Sequence, residues 1–156
     1  MPIAFNYELT GAGWAEATVG IDGSIVRVTA SYLSNALDDL LRAVVNVVRG
    51  IPKNSFSFLE EPGEYCWQLQ CIGEDQLSIT ITWYEDWQQL RELPGKVVFE
   101  RSCRLRTFAG AVYDSSKRLI DHYGKQGYRE KWVQHEFPSD RLDELQQALR
   151  TPTKQI

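Results

Sequence analysis

Histidine is nearly absent from this chain: His122 and His135 are the only two among 156 residues. Metal and acid–base centres draw on histidine at fixed spacings such as HExxH. The nearest stretch, "HEFP", holds one histidine, and both residues read as surface or core-edge side chains. Cysteine is scarce too. Cys66, Cys71 and Cys103 make an odd set with no CxxC pair. Cys66 and Cys71 are five apart, so a regular strand points them to opposite faces, where they share neither a metal nor a bridge. Reduced thiols in a cytoplasmic protein are expected. GxSxG, GxxxxGK[ST] and DxDxDG do not occur, and "GAG" at 11–13 misses the GxGxxG pattern because Glu16 stands where the third glycine belongs. The most apolar window, "AVVNVV", is too short to cross a bilayer. The start "MPIAFNYELTGAG" lacks a basic region followed by an apolar run, so no secretory signal is expected. These absences predict no cofactor, no metal site, no catalytic residues and no membrane partner.

Basic residues are in the minority, 17 against 21 acidic, for a net charge of −4. That balance argues against a nucleic-acid partner, whose phosphates want a basic surface. The charge is uneven. Residues 1–100 hold 14 acidic and 6 basic side chains, a net of −8, and residues 101–156 hold 7 and 11, a net of +4. Such a chain can attract itself or a charged partner.

What is present is an ordinary globular composition, 43% hydrophobic and 24% charged, in a length that suits one domain able to bury a core without disulfides. Period-two alternation marks strands in "AFNYELTG", in the two runs of "WAEATVGIDGSIVRVTAS" joined at Asp22-Gly23, and in "SFSFLE", "EYCWQLQCI", "QLSITITWY" and "KVVFERSCRLR". Helical spacing marks "SYLSNALDDLLRAVVNVVRGIP", with Leu33, Leu37, Leu40, Leu41, Val44, Val45 and Val48 on one stripe and Ser31 or Ser34 as cap. Two more helices are expected, one over "TFAGAVYDSSKRLIDHYG" ending at Gly124 and one started by Ser139. The aromatic-basic stretch "GYREKWVQHEF" between them would dock on the sheet through Tyr128, Trp132 and Phe137. This order predicts an α+β fold. An antiparallel sheet of about six to seven strands would carry helices on one face and leave its Ser/Thr/Gln face open. Residues 1–150 would form the single α+β domain and 151–156 a loose tail.

Two stretches stand out for function. "LEEPGEYCW" places Glu60, Glu61 and Glu64 around a Pro-Gly corner between strands, where a solvated turn is the plain expectation. "WYEDWQQLRELPG" gathers Trp83, Tyr84, Trp87, Leu90 and Leu93 around Glu85 and Asp86, the residue mix of an interaction hot spot or of a plug at one end of the core. A calcium site would need Asp/Asn at alternating positions with a set glycine, which neither stretch has.

"SYLSNALDDLLRAV", "EEPGEYCWQL" and "YREKWVQHEFP" resemble a family of small uncharacterised bacterial proteins. The layout from about Phe5 to Leu149 is similar, more loosely, to the α+β immunity proteins of bacterial contact-toxin systems of the WapI kind. That resemblance implies a non-enzymatic protein partner and offers no catalytic motif. The first expectation is therefore a cytoplasmic protein–protein interaction module, with a toxin-neutralising immunity protein as one form of it, that binds through Glu60, Glu61, Glu64, Trp83, Tyr84, Glu85, Asp86 and Trp87. The alternative is a small-molecule binder or small hydrolytic enzyme with a pocket between sheet and helices lined by Tyr65, Trp67, Arg101 and His122. A third is a homodimer through the open sheet face or an edge strand.

Overall fold

The computed structural model describes residues 3–86, 94–133 and 135–151. The alternating runs form seven strands in two antiparallel meanders. β1 (Ile3–Gly11), β2 (Trp14–Ile21) and β3 (Ser24–Ser31) make the first, in that order. Asp22 and Gly23 turn β2 into β3 with φ of 53° and 85°, the left-handed pair a tight hairpin of matching twist requires. β4 (Lys53–Leu59), β5 (Glu64–Gly73), β6 (Gln76–Tyr84) and β7 (Lys96–Arg104) make the second.

The expected single sheet of six to seven strands is thus corrected to sheets of three and four. The break falls where the chain leaves β3 to build α1 (Ala36–Val48) before entering β4. Serines take up the groups of Leu59 that a ladder would use. Ser31 Oγ donates to the Leu59 carbonyl at 2.9 Å, and the Leu59 amide donates to Ser34 Oγ at 3.3 Å. These two serines therefore stitch the sheets and do not cap α1, which starts after Asn35. Leu33 lies before the helix and is exposed.

The inner faces of both sheets feed one core. Val19, Ile21 and Val28 come from the first, and Phe58, Trp67, Leu69, Ile79 and Ile81 from the second, with the apolar stripe of α1 packed among them. At 25 cal/mol per Å², burying such side chains contributes about 1.5–3 kcal/mol each.

The helices do not share one sheet face as expected. α1 packs against β4 and β5, α2 (Leu105–Trp132) runs along β1, and α3 (Ser139–Arg150) sits chiefly on α1 and α2. α2 begins where the β5–β6 turn meets it. The Leu105 amide donates to the Asp75 carbonyl at 3.2 Å and the Arg106 amide to Asp75 Oδ1 at 2.9 Å. A distant carboxylate thus satisfies the first amides that a local cap ordinarily serves. Gly124, with φ 70° and ψ 167°, ends the first helical segment of α2 as expected, and a second helical segment follows it directly. The helix resumes because Tyr128 and Trp132, four apart, share one face and both are fully buried. Along β1, the Tyr7 amide donates to Ser115 Oγ at 2.8 Å, so the open edge of the first sheet is covered by α2. No helix among the described residues is long and apolar enough to cross a membrane.

Candidate functional site: an acidic-aromatic corner

Two stretches far apart in sequence meet at one end of the four-stranded sheet. The Glu60–Gly63 turn joins β4 to β5, closed by a hydrogen bond from the Glu60 amide to the Gly63 carbonyl at 2.8 Å. The register then sets Glu64 opposite Tyr84 and Tyr65 opposite Trp83. Tyr65 and Trp83 pack with ring centroids 4.7 Å apart. Gly63 has φ 101°, and the Trp83 ring lies so close above it that a Cβ at 63 has no room. The Tyr84 ring covers Gly95 in the same way. Both aromatics are half-buried, and as consecutive residues of β6 they lie on opposite faces of the sheet end.

The structure therefore brings Glu60, Glu61, Glu64, Trp83, Tyr84, Glu85 and Asp86 to one corner. Trp87, Leu90 and Leu93 lie outside the described residues. The acids differ in setting. Glu61 and Glu85 are exposed, and Glu60 and Asp86 are half-buried. Glu64 is only 3% exposed, so the expectation of three solvated carboxylates fails there. It stands opposite Tyr84 in the β5–β6 ladder, on the same face of the sheet. Burial pushes the Glu60 carboxyl above its ordinary value, the Glu61 charge pushes the same way, and a backbone hydrogen bond at Glu61 opposes both. Burial, then the Glu60 charge, raise the Tyr65 phenol. No cluster of three metal-ligating side chains occurs among the described residues.

The three cysteines are free thiols. Burial and the Asp75 charge push Cys103 up to about 11, which keeps it protonated and unreactive.

Glu60 also leads onto the other sheet. Thr29 Oγ1 donates to Glu60 Oε2. Thr29 stands opposite Glu16, and Glu16 opposite Glu8, so the row Glu8–Glu16–Thr29 crosses all three strands on their outer face and continues into the corner. Sequence reasoning missed this row. Its signal was present: the turn at 11–13 folds position 8 onto position 16, and both are polar members of alternating runs.

The alternative pocket does not assemble. Trp67 is fully buried and stacks on Phe56 with centroids 5.3 Å apart. Tyr65 leans on Trp83, Arg101 is exposed and bonds Ser24 Oγ through Nε at 3.0 Å, and His122 is exposed on α2 against Tyr123. The larger cleft, about 1260 Å³, lies instead between α1, the second half of α2 and α3. Its charges answer one another: Arg141 pairs with Asp38 at 3.2 Å and Glu144 at 3.1 Å, and Arg129 with Glu136 at 3.7 Å. His135 sits nearby with Nε2 3.2 Å from the Tyr32 carbonyl. Comparison with known proteins adds nothing to this geometry, since no family model, curated protein or solved structure matches the chain.

Proposed function

We propose that this protein is a non-enzymatic interaction module that binds a basic protein partner through the acidic-aromatic corner, in the manner of a toxin-immunity protein. The observation that carries this reading is the meeting of the Glu60–Glu64 turn with Trp83–Asp86 at one sheet end. Trp83 with Tyr65 on one face of the sheet end and Tyr84 with Glu64 on the other give packed rings beside carboxylates, the residue mix of an interaction hot spot. The surplus of acid in residues 1–100 steers a cationic partner to it and speeds association. Trp87, grouped with these residues by the sequence pattern, lies outside the described residues. The resemblance to immunity proteins names the class of partner, a secreted toxin domain, and the absence of a convergent polar pocket at Tyr65, Trp67, Arg101 and His122 favours binding over catalysis.

The test is co-expression with the C-terminal domain of a toxin encoded immediately upstream. The protein is expected to form a complex and restore growth. Reversing Glu61 and Glu85 to Lys is expected to lower affinity at least about ten-fold, mostly through slower association, with an unchanged circular dichroism spectrum. A domain that is neither bound nor neutralised removes the immunity reading. A complex indifferent to the double reversal removes the corner.

A further inference from the structure

We infer that the partner-binding surface does not stop at the corner but extends over the outer face of the three-stranded sheet, and that its occupant there is a cationic protein segment. The inference rests on the corner reading and specifies where the partner lies. Glu8 and Glu16 are directly opposed across β1 and β2 and point to the same outer face. Directly opposed residues hold their Cβ atoms about 4.5–5.5 Å apart, and like charges there destabilise a sheet. No ion pair engages either carboxylate among the described residues. Arg27 stands one row away opposite Thr18, and no ion pair engages it among the described residues.

The row continues through Thr29 to Glu60 by a hydrogen bond. Beside it on β2, Trp14 is half-buried with its row ending at Ser31. An aromatic next to uncompensated carboxylates, continuous with the corner, complements Lys or Arg side chains on an apposed chain. They would neutralise the opposed pair on binding, so repulsion stored in the free protein is released in the complex. The outer face of the four-stranded sheet offers no such match, since its row Ser55–Gln68–Thr80–Glu100 carries one carboxylate.

An octalysine peptide is the probe, titrated at low salt and again at 0.15 M. The protein is expected to bind it with an affinity that falls as salt rises. Glu8→Gln with Glu16→Gln should weaken binding about three- to ten-fold while raising Tm by about 1–3 °C through relief of the opposed charges. Opposite signs in the two measurements are the signature, because a structural role would lower both. Asp114→Asn with Glu130→Gln, on the exposed side of α2, removes the same charge elsewhere and should leave binding within about two-fold. Equal loss in that control overturns the inference as a net-charge effect. If Glu61→Gln with Glu85→Gln weakens binding but the Glu8 and Glu16 variant does not, the sheet face is excluded and the corner stands. If wild type does not bind the peptide, or neither pair of substitutions matters, both fall.

Discussion

The two sheets have the same construction inside and different chemistry outside. Each turns alternate residues inward, and their side chains merge into one core. Outward, the four-stranded sheet presents uncharged Ser, Thr and Gln across most of its width, while the three-stranded sheet opposes Glu8 to Glu16. Their edges differ as well. β1 is sealed by α2 through Ser115. β7, at the far edge, reaches the first sheet through Arg101, whose Nε bonds Ser24. Inner faces decide the fold because apolar area leaves water there, and outer faces are free to differ because water satisfies either chemistry. A departure from neutrality on an outer face therefore points to function more directly than any feature of the core.

The sharpest way to break the comparison is to remove a ring from one inner face. Trp67 is fully buried against Phe56 and Phe58. Trp67→Ala is expected to cost about 3–5 kcal/mol, seen as a large fall in the urea midpoint. A loss under about 1 kcal/mol would mean that the second sheet does not anchor the shared core. Ser115→Ala tests the sealed edge. It leaves the Tyr7 amide without its partner and should cost about 1–3 kcal/mol, with faster hydrogen exchange at Tyr7 than at the β2–β3 ladder. Unchanged exchange would show that α2 covers β1 by packing alone.

The smallest effect sits where the two sheets meet. Burial holds the Glu60 carboxyl above its ordinary value, so in the folded state its charged form is disfavoured. Folding then takes up a proton between the unfolded value and the raised folded one, and the stability associated with Glu60 falls as pH rises through that window. Glu60→Gln keeps an acceptor for Thr29 and removes the charge. The variant is expected to match or slightly exceed wild type in urea at pH 7, and to lose that advantage as pH falls towards 4.5, the ordinary value. A difference that grows on acidification would reverse the assigned sign.

Much of the architecture was legible. The alternation in "QLSITITWY" placed Leu77, Ile79 and Ile81 inward, and all three are fully buried. Gly124 breaks the helix as its local stop signal implied, and what the sequence did not show is the second helical segment beyond it, which carries the buried Tyr128 and Trp132. Glu64 misled because polarity suggested solvent, yet opposite Tyr84 its side chain is buried. The Glu8–Glu16 pair was within reach of anyone folding the hairpin at "GAG", yet its link to Glu60 runs through Thr29 of a different strand, and no local pattern carries that.

By itself the sequence determined the class of structure, the strands and helices, and which side of each faces inward, because period and polarity are local properties of the chain. Only the tertiary structure decided that the strands divide into two sheets, that Asp75 caps a helix thirty positions on, and that the Glu8–Glu16–Thr29 row leads to Glu60. Those outcomes depend on which hydrogen-bonding groups find each other across the fold, and such pairings are set by the packing of the whole chain.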